Sequence, residues 1–164
     1  MDNTKTPLPK KILIVDDEID ILETLEELLD TFNVETASSF EDAVICLKNN
    51  SYDIAILDIM GVRGYDLLKA TNKLGIPTLM LTAHALSSAN LKKSIDLGAD
   101  AYIPKDKLVD ITLYIEDVLN ARQQSKTASN TWFLKLRPFF NNLFGNTWQN
   151  SEKEFWDDFD KKNR

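Results

Sequence analysis

Four stretches of this chain end an apolar run with a group that can handle charge. KILIV (Lys11–Val15) runs into Asp16, Asp17 and Glu18, and DIAIL (Asp53–Leu57) runs into Asp58. IPTLML (Ile76–Leu81) is followed by Thr82, and the run ending at Ile103 is followed by Pro104 and Lys105. Carboxylates brought to one place repel and raise each other's pKa unless a cation joins them. An all-oxygen set without His or Cys suits Mg²⁺, a hard ion that takes one or two carboxylates and keeps several waters. Such an ion can bridge to a phosphoryl oxygen and neutralise charge during in-line transfer. In that setting Asp58 has the chemistry of a nucleophile forming an acyl phosphate. Lys105 would pair with one phosphoryl oxygen, and the Thr82 hydroxyl would donate to another. Transfer of this kind rests on positioning and electrostatics, so few groups suffice.

Each residue also has a plain reading. Asp16, Asp17 and Glu18 could be a helix cap and an acidic first turn. Asp58 could be an ordinary turn aspartate, and Thr82 or Lys105 alone says little. The combination carries the argument: acidic pair, aspartate, hydroxyl and lysine each follow a different apolar run, in order.

Those runs must be the elements that position the groups. Short, β-branched and continuously apolar, they read as strands of a parallel sheet covered on both faces. Between them lie helical patterns: Glu18 to about Thr31, a serine-capped stretch from Ser38-Ser39 to Asn49, Tyr65–Asn72, residues 87–97 closed by Gly98, and Lys107–Ala121. Val34–Ala37 supplies a further strand. Five strands alternating with five helices predict an α/β, doubly wound, flavodoxin-like (βα)5 sheet in the order 2-1-3-4-5. Ligands of such sheets sit beyond the carboxyl ends of the strands, where these acids fall.

Composition bounds the rest. With 43% hydrophobic and 27% charged residues in 164, the chain can bury one core. A net charge of −7 argues against generic affinity for nucleic acid. No apolar run reaches the roughly 18 residues of a membrane span, and the start lacks a signal-peptide core, so a cytoplasmic protein is expected. Cys46 is the only cysteine and reads as a small buried residue. Residues 1–122 hold 12 Lys and Arg against 21 Asp and Glu, whereas residues 123–164 hold 7 against 5. Nine of the fifteen aromatics lie beyond residue 131, including Trp132, Trp148 and Trp156. The shift divides the chain into residues 10–122, a polar linker at 123–131, and an aromatic helical tail at 132–164.

The motifs IVDDE, ILDIMGVRGYDLL, LTAHA and GADAYIPKDKL resemble those of response regulator receiver domains of bacterial two-component systems. The likeness spans about residues 10–122. It implies that Asp58 accepts a phosphoryl group from a histidine kinase or a histidine phosphotransfer protein. It implies Mg²⁺ held by Asp16, Asp17, Asp58 and the backbone carbonyl of Met60, with Thr82 and Tyr102 as switch residues and Lys105 completing the site. Such a protein is no enzyme for a separate substrate: it catalyses only its own phosphorylation and dephosphorylation. Two departures stand out. The turn Gly61-Val62-Arg63-Gly64 is short and lacks the usual proline. The order Pro104-Lys105-Asp106 replaces the lysine-proline pair whose peptide bond is cis in relatives. His84, two residues beyond Thr82, reads as exposed or as tuning hydrolysis.

In the tail, Pro138 is expected to open a short helix and Gly145 to end it. Ser151 is expected to cap a helix over Glu152–Lys161, with Phe155, Trp156 and Phe159 on one face. The tail could cover its own receiver, dock a partner or a second copy, or touch a membrane, the last disfavoured by its weak positive charge. It lacks the basic helix of a DNA-binding output domain. The expected output is therefore a phosphorylation-switched contact with another protein, not with nucleic acid. Two other functions compete: a pseudo-receiver that never takes phosphate, and a flavodoxin-like electron carrier. The full set of site groups argues against the former. VDDEID in place of a phosphate-cradling loop argues against the latter.

Overall fold

The computed structural model describes residues 8–124 and 131–162. Five parallel strands, β1 (Lys11–Val15), β2 (Asn33–Ala37), β3 (Ile54–Asp58), β4 (Thr78–Thr82) and β5 (Ala101–Pro104), form one sheet in the order 2-1-3-4-5. The helices between them are α1 (Ile19–Leu28), α2 (Phe40–Asn49), α3 (Gly64–Lys73), α4 (Ser88–Asp96) and α5 (Ile111–Gln123). The predicted flavodoxin-like architecture is the observed one. β3 and β4 are buried at every position, as their unbroken apolar runs require of strands with both faces covered. Each such Leu, Ile or Val contributes roughly 1.5–3 kcal/mol of burial.

The ends of the elements follow local chemistry. Ser39 caps α2, its hydroxyl accepting from the Asp42 N–H at 3.1 Å. β4 begins at Thr78 rather than Ile76: Pro77 has no N–H to give the ladder, although its carbonyl accepts from Ala55. A 3₁₀ stretch over Lys105–Asp110 precedes α5, so the last helix starts four residues later than its apolar spacing suggests. Asp100, buried just before β5, accepts from the Thr78 N–H and from two nitrogens of Arg122, tying β4, β5 and α5 together.

Beyond the sheet lie α6 (Thr131–Phe144), a 3₁₀ turn (Trp148–Glu152) and α7 (Lys153–Lys162). Residues 125–130 of the expected linker lie outside the described residues, and its two ends, Gln123 and Thr131, are helical. Two expectations for the tail fail. Pro138 stands inside α6 and does not open it. Trp132, Phe133, Leu136 and Phe140 are all buried at helical spacing, and this packing overrides a proline cost of about 3 kcal/mol. The carbonyl that loses its donor belongs to Leu134, on the half-exposed side of the helix. Ser151 does not cap α7: it sits in the 3₁₀ turn, where its hydroxyl donates to the Trp148 carbonyl at 3.4 Å. Gly145 does end α6.

The tail packs on its own sheet domain. Phe140 meets the Tyr102 ring at 6.2 Å, and Lys135 pairs with Asp117 of α5 at 2.9 Å. Lys92 of α4 lies 4.9 Å over Phe155, and Lys107 lies 5.3 Å over Phe139. The face made by α4, β5 and α5 is thus covered. Among the described residues no helix is long and apolar enough to cross a membrane.

Between β3 and α3 the chain turns so tightly that a Cβ on Gly64 would overlap the Asp58 carbonyl and the Ile59 backbone. Gly64→Ala is therefore expected to destabilise the fold by about 1–3 kcal/mol, the range for forced overpacking. Urea midpoints check this, and an unchanged midpoint would show that the turn can open.

Candidate functional site

The sheet register assembles the site. Val15 pairs with Leu57, so the next residues, Asp16 and Asp58, stand at the same level on adjacent strands. Asp58 pairs with Leu81, and Thr82 pairs with Pro104, which puts Thr82 and Lys105 just beyond that level. Asp17 follows Asp16 at the carboxyl edge. Carboxylate oxygens of Asp16, Asp17 and Asp58 lie within 4.8 Å of one another. Asp16 and Asp58 are buried, and Asp17 is exposed.

Lys105 reaches into this group with its side chain 7% exposed. Its Nζ is 2.9 Å from Asp16 Oδ2, 2.9 Å from Glu18 Oε1 and 3.5 Å from Asp58 Oδ1. Burial disfavours the ammonium, yet the close carboxylates of Asp16 and Glu18 outweigh it and raise the Lys105 pKa. Asp58 is pushed up to about 7, first by burial and then by the neighbouring charge of Asp16, against the pull of Lys105. Burial raises Asp16 as well, and the adjacent Lys105 ammonium offsets it in part. Glu18 is lowered by its hydrogen bond to Lys105.

The arrangement fits a divalent cation. Its donors are all carboxylate oxygens, and one ammonium faces three acids. Asp16 Oδ2 is buried without a well-formed hydrogen bond, although Lys105 is near enough to attract it. Gly61, at φ +85°, passes so close to Asp17 that a Cβ there would overlap its carboxylate. Met60 lies in the same turn with its side chain half exposed. The proline-free turn is closed by Val62, which is fully buried, and by Arg63, the one non-glycine residue at positive φ among those described. The Arg63 guanidinium stacks 4.0 Å over Phe40 and pairs with Asp66 at 2.9 Å. No peptide bond among the described residues is cis, so Lys105–Asp106 is trans.

Asp16, Asp17, Asp58 and Lys105 are thus brought together as a cluster. Thr82, buried at the end of β4, accepts the Ala85 N–H at 3.0 Å through Oγ1. Tyr102 lies off the cluster, fully buried, its hydroxyl donating to the Ala85 carbonyl at 2.9 Å. Its pKa is raised, chiefly by burial. His84 is largely exposed, with Nε2 3.8 Å from Glu18 Oε1. Glu18 is the residue that sequence reasoning left in a helix start. Its signal was present, as a third acid after β1, but its reach to Lys105 crosses 87 positions of chain.

A family model described as the response regulator receiver domain matches residues 12–116. The transcriptional regulatory protein CpxR homolog of Haemophilus influenzae is 38% identical over 100 residues, 58% of this chain and 43% of that protein. The heme response regulator HssR of Staphylococcus haemolyticus is 35% identical over 120 residues, 69% and 53% of the two chains. This chain therefore spans about half the length of the curated relatives it matches. A CheY-like response regulator receiver domain protein from Methanospirillum hungatei has the same fold, with a TM-score of 0.66 and 32% identity. That match covers 73% of this chain and 99% of the other.

Burying Asp58 beside Asp16 has a measurable cost. The Asp58 pKa is near 7 in the folded protein and ordinarily 3.8, so the folded state keeps a proton that the unfolded chain releases. That contribution to stability is complete below pH 3.8 and is lost as pH rises through about 7. In metal-free buffer at pH 8, Asp58→Asn should be more stable than wild type by on the order of 2–4 kcal/mol. The gap should close toward pH 4. Urea midpoints across that range provide the measurement, and a gap independent of pH would contradict the raised pKa.

Proposed function

This chain belongs to the response regulator receiver domain family, and we propose that within it Asp58 is the acceptor of a phosphoryl group. The donor would be the phosphohistidine of a sensor kinase or of a phosphotransfer protein. The observation that carries the reading is the Lys105 ammonium held among Asp16, Asp58 and Glu18 at the carboxyl edge of the sheet. A purely structural lysine has no need of three acids, two of them buried.

In the transfer, an Asp58 carboxylate oxygen attacks phosphorus as the bond to the donor imidazole nitrogen breaks. Lys105 is 3.5 Å from Asp58 Oδ1, close enough to follow a phosphoryl oxygen once one is attached there. Glu18 and Asp16 keep that ammonium charged and aimed until then. Thr82 accepts from Ala85 through its oxygen and so keeps its own proton for a second phosphoryl oxygen. Asp16, Asp17 and Asp58, with the Met60 carbonyl, would hold Mg²⁺, which supplies charge neutralisation across the carboxylates and the transferring group. The role of Asp58 as nucleophile gains from that neutralisation, because a carboxyl near pKa 7 is partly protonated at neutral pH. Thr82 and Tyr102 act as the switch pair, and the domain catalyses no reaction but its own phosphorylation and dephosphorylation.

The output, on this reading, is contact with another protein, with pairing of two copies left open. The CpxR homolog and HssR are named as regulators, one of them transcriptional, but the match covers only 43% and 53% of them. The tail here turns its aromatics onto its own sheet domain, and α7 carries Glu154, Asp157, Asp158 and Asp160. With Lys153, Lys161 and Lys162 against these acids, α7 is close to neutral and lacks the dense basic face that binds nucleic-acid phosphates. We place the protein in the cytoplasm, where a donor kinase draws its phosphoryl group from ATP.

Incubation with acetyl phosphate and Mg²⁺ should add one phosphoryl mass that is stable to acid and labile to base. Asp58→Asn should abolish it, and chelation of Mg²⁺ should suppress it. Lys105→Ala should slow it by about 10²-fold, the usual cost of losing one preorganised partner of the transition state. Intact-protein mass spectrometry follows each case. No gain in wild type would favour a pseudo-receiver, and a gain in Asp58→Asn would place the acceptor elsewhere.

A further inference from the structure

An unbroken run of contacts joins the acceptor site to the tail. Thr82 Oγ1 accepts the Ala85 N–H at 3.0 Å, and the Ala85 carbonyl accepts the Tyr102 hydroxyl at 2.9 Å. The same hydroxyl accepts the Ser87 N–H at 3.3 Å, so the middle and the far end of the 83–87 loop are tied to Thr82 and Tyr102. The Tyr102 ring, fully buried, lies 6.2 Å from Phe140, itself fully buried. Phe140 is packed against Phe133, Phe144 and Trp148, which belong to an aromatic cluster reaching Trp156 and Phe159. The tail is thus a unit with its own cluster, and it meets the site through one tyrosine.

We propose that the α6–α7 tail is a built-in regulatory ligand of its own receiver domain. Docked on Tyr102, it holds the 83–87 loop so that the Thr82 hydroxyl is presented to a phosphoryl group on Asp58. Tail docking and phosphoryl binding therefore strengthen one another. The inference rests on the Asp58 reading above. Three features support it. Phe140 fills the space beside Tyr102, so the ring cannot swing outward while the tail is docked. The Thr82 oxygen is occupied by the Ala85 N–H, which leaves the hydroxyl proton free to donate. Lys92 and Lys107 hold tail rings from α4 and from the start of the last helical segment, and Lys135 holds Asp117 of α5. The tail thereby clamps both sides of β5. Because coupling between two binding events is reciprocal, each must change the other by the same factor.

The full-length chain carries its own reporters, since all three tryptophans lie in the tail. Beryllium trifluoride with Mg²⁺ serves as the phosphoryl mimic, its binding followed by the fluorine signal of the bound species. In wild type the mimic should slow amide exchange over residues 131–144 by about fivefold or more, the lower end of common coupling factors. Phe140→Ala should raise the half-saturating mimic concentration by a like factor. Tyr102→Phe keeps the ring against Phe140 but loses the bond to Ala85. Its tryptophan emission should match wild type, while the mimic no longer slows exchange in α6. If Phe140→Ala fails to fold, the wild-type exchange and Tyr102→Phe still decide the matter. Mimic binding that leaves α6 exchange unmoved, or speeds it, overturns the coupling while sparing the Asp58 reading. Failure of wild type to bind the mimic or gain phosphate sinks both.

Discussion

The structure is organised around a charge problem at one edge of its sheet. Asp16 and Asp58 are buried side by side on adjacent strands, and Lys105 is the ammonium set between them. Removing the ammonium from such a buried set would leave the acids uncompensated, at roughly 3–5 kcal/mol. The surroundings hold the arrangement together. The parallel register aligns the two acids, the 3₁₀ stretch after β5 sends Lys105 back over them, and Gly61 and Gly64 let the β3–α3 turn pass close by. Glu18 completes the ring of acceptors from α1's entrance. Burial and like charge leave Asp58 poised near neutrality, where a cation or a covalent change at its oxygen is strongly felt.

A second cluster, made of rings instead of charges, covers the opposite flank of β5. Phe133 stacks on Trp156 at 5.5 Å, Phe140 on Phe144 at 5.7 Å, and Trp148 meets Trp156 at 4.9 Å. Aromatic pairs of this geometry add about 0.5–1.5 kcal/mol each beyond the area they bury. Tyr102 belongs to both worlds: its ring joins the aromatic cluster and its hydroxyl joins the loop beside Thr82. A four-residue strand thus separates an electrostatic centre from an apolar one, and a single side chain spans them.

Much of this was legible in the residues. Apolar runs closed by acids marked β1 and β3, and the alternation with helical spacing led to the strand order. The acids, Thr82 and Lys105 were found because each follows its own strand. The reach of Glu18 to Lys105 was hidden, because it depends on a rotamer and a fold that joins residues far apart in sequence. Pro138 misled because local propensity marks a helix start, whereas α6 is held by the burial of Trp132, Phe133, Leu136 and Phe140. Ser151 misled in the same way, its hydroxyl satisfied within a tight turn between two buried tryptophans. The place where the tail docks was one of three open choices, since an amphipathic pattern tells that a face will be covered but not by what.

One detail of the register reaches beyond the single molecule. β5 is an edge strand of only four residues, and it ends in Pro104. Short edges and prolines deny an incoming strand the backbone donors it needs to extend a sheet. At the other edge, β2 presents Glu35, paired with Lys11, whose charges also resist stacking with a flat neighbour. A crowded solution of this protein is thereby guarded against strand-to-strand aggregation, and association between copies is steered toward helix faces.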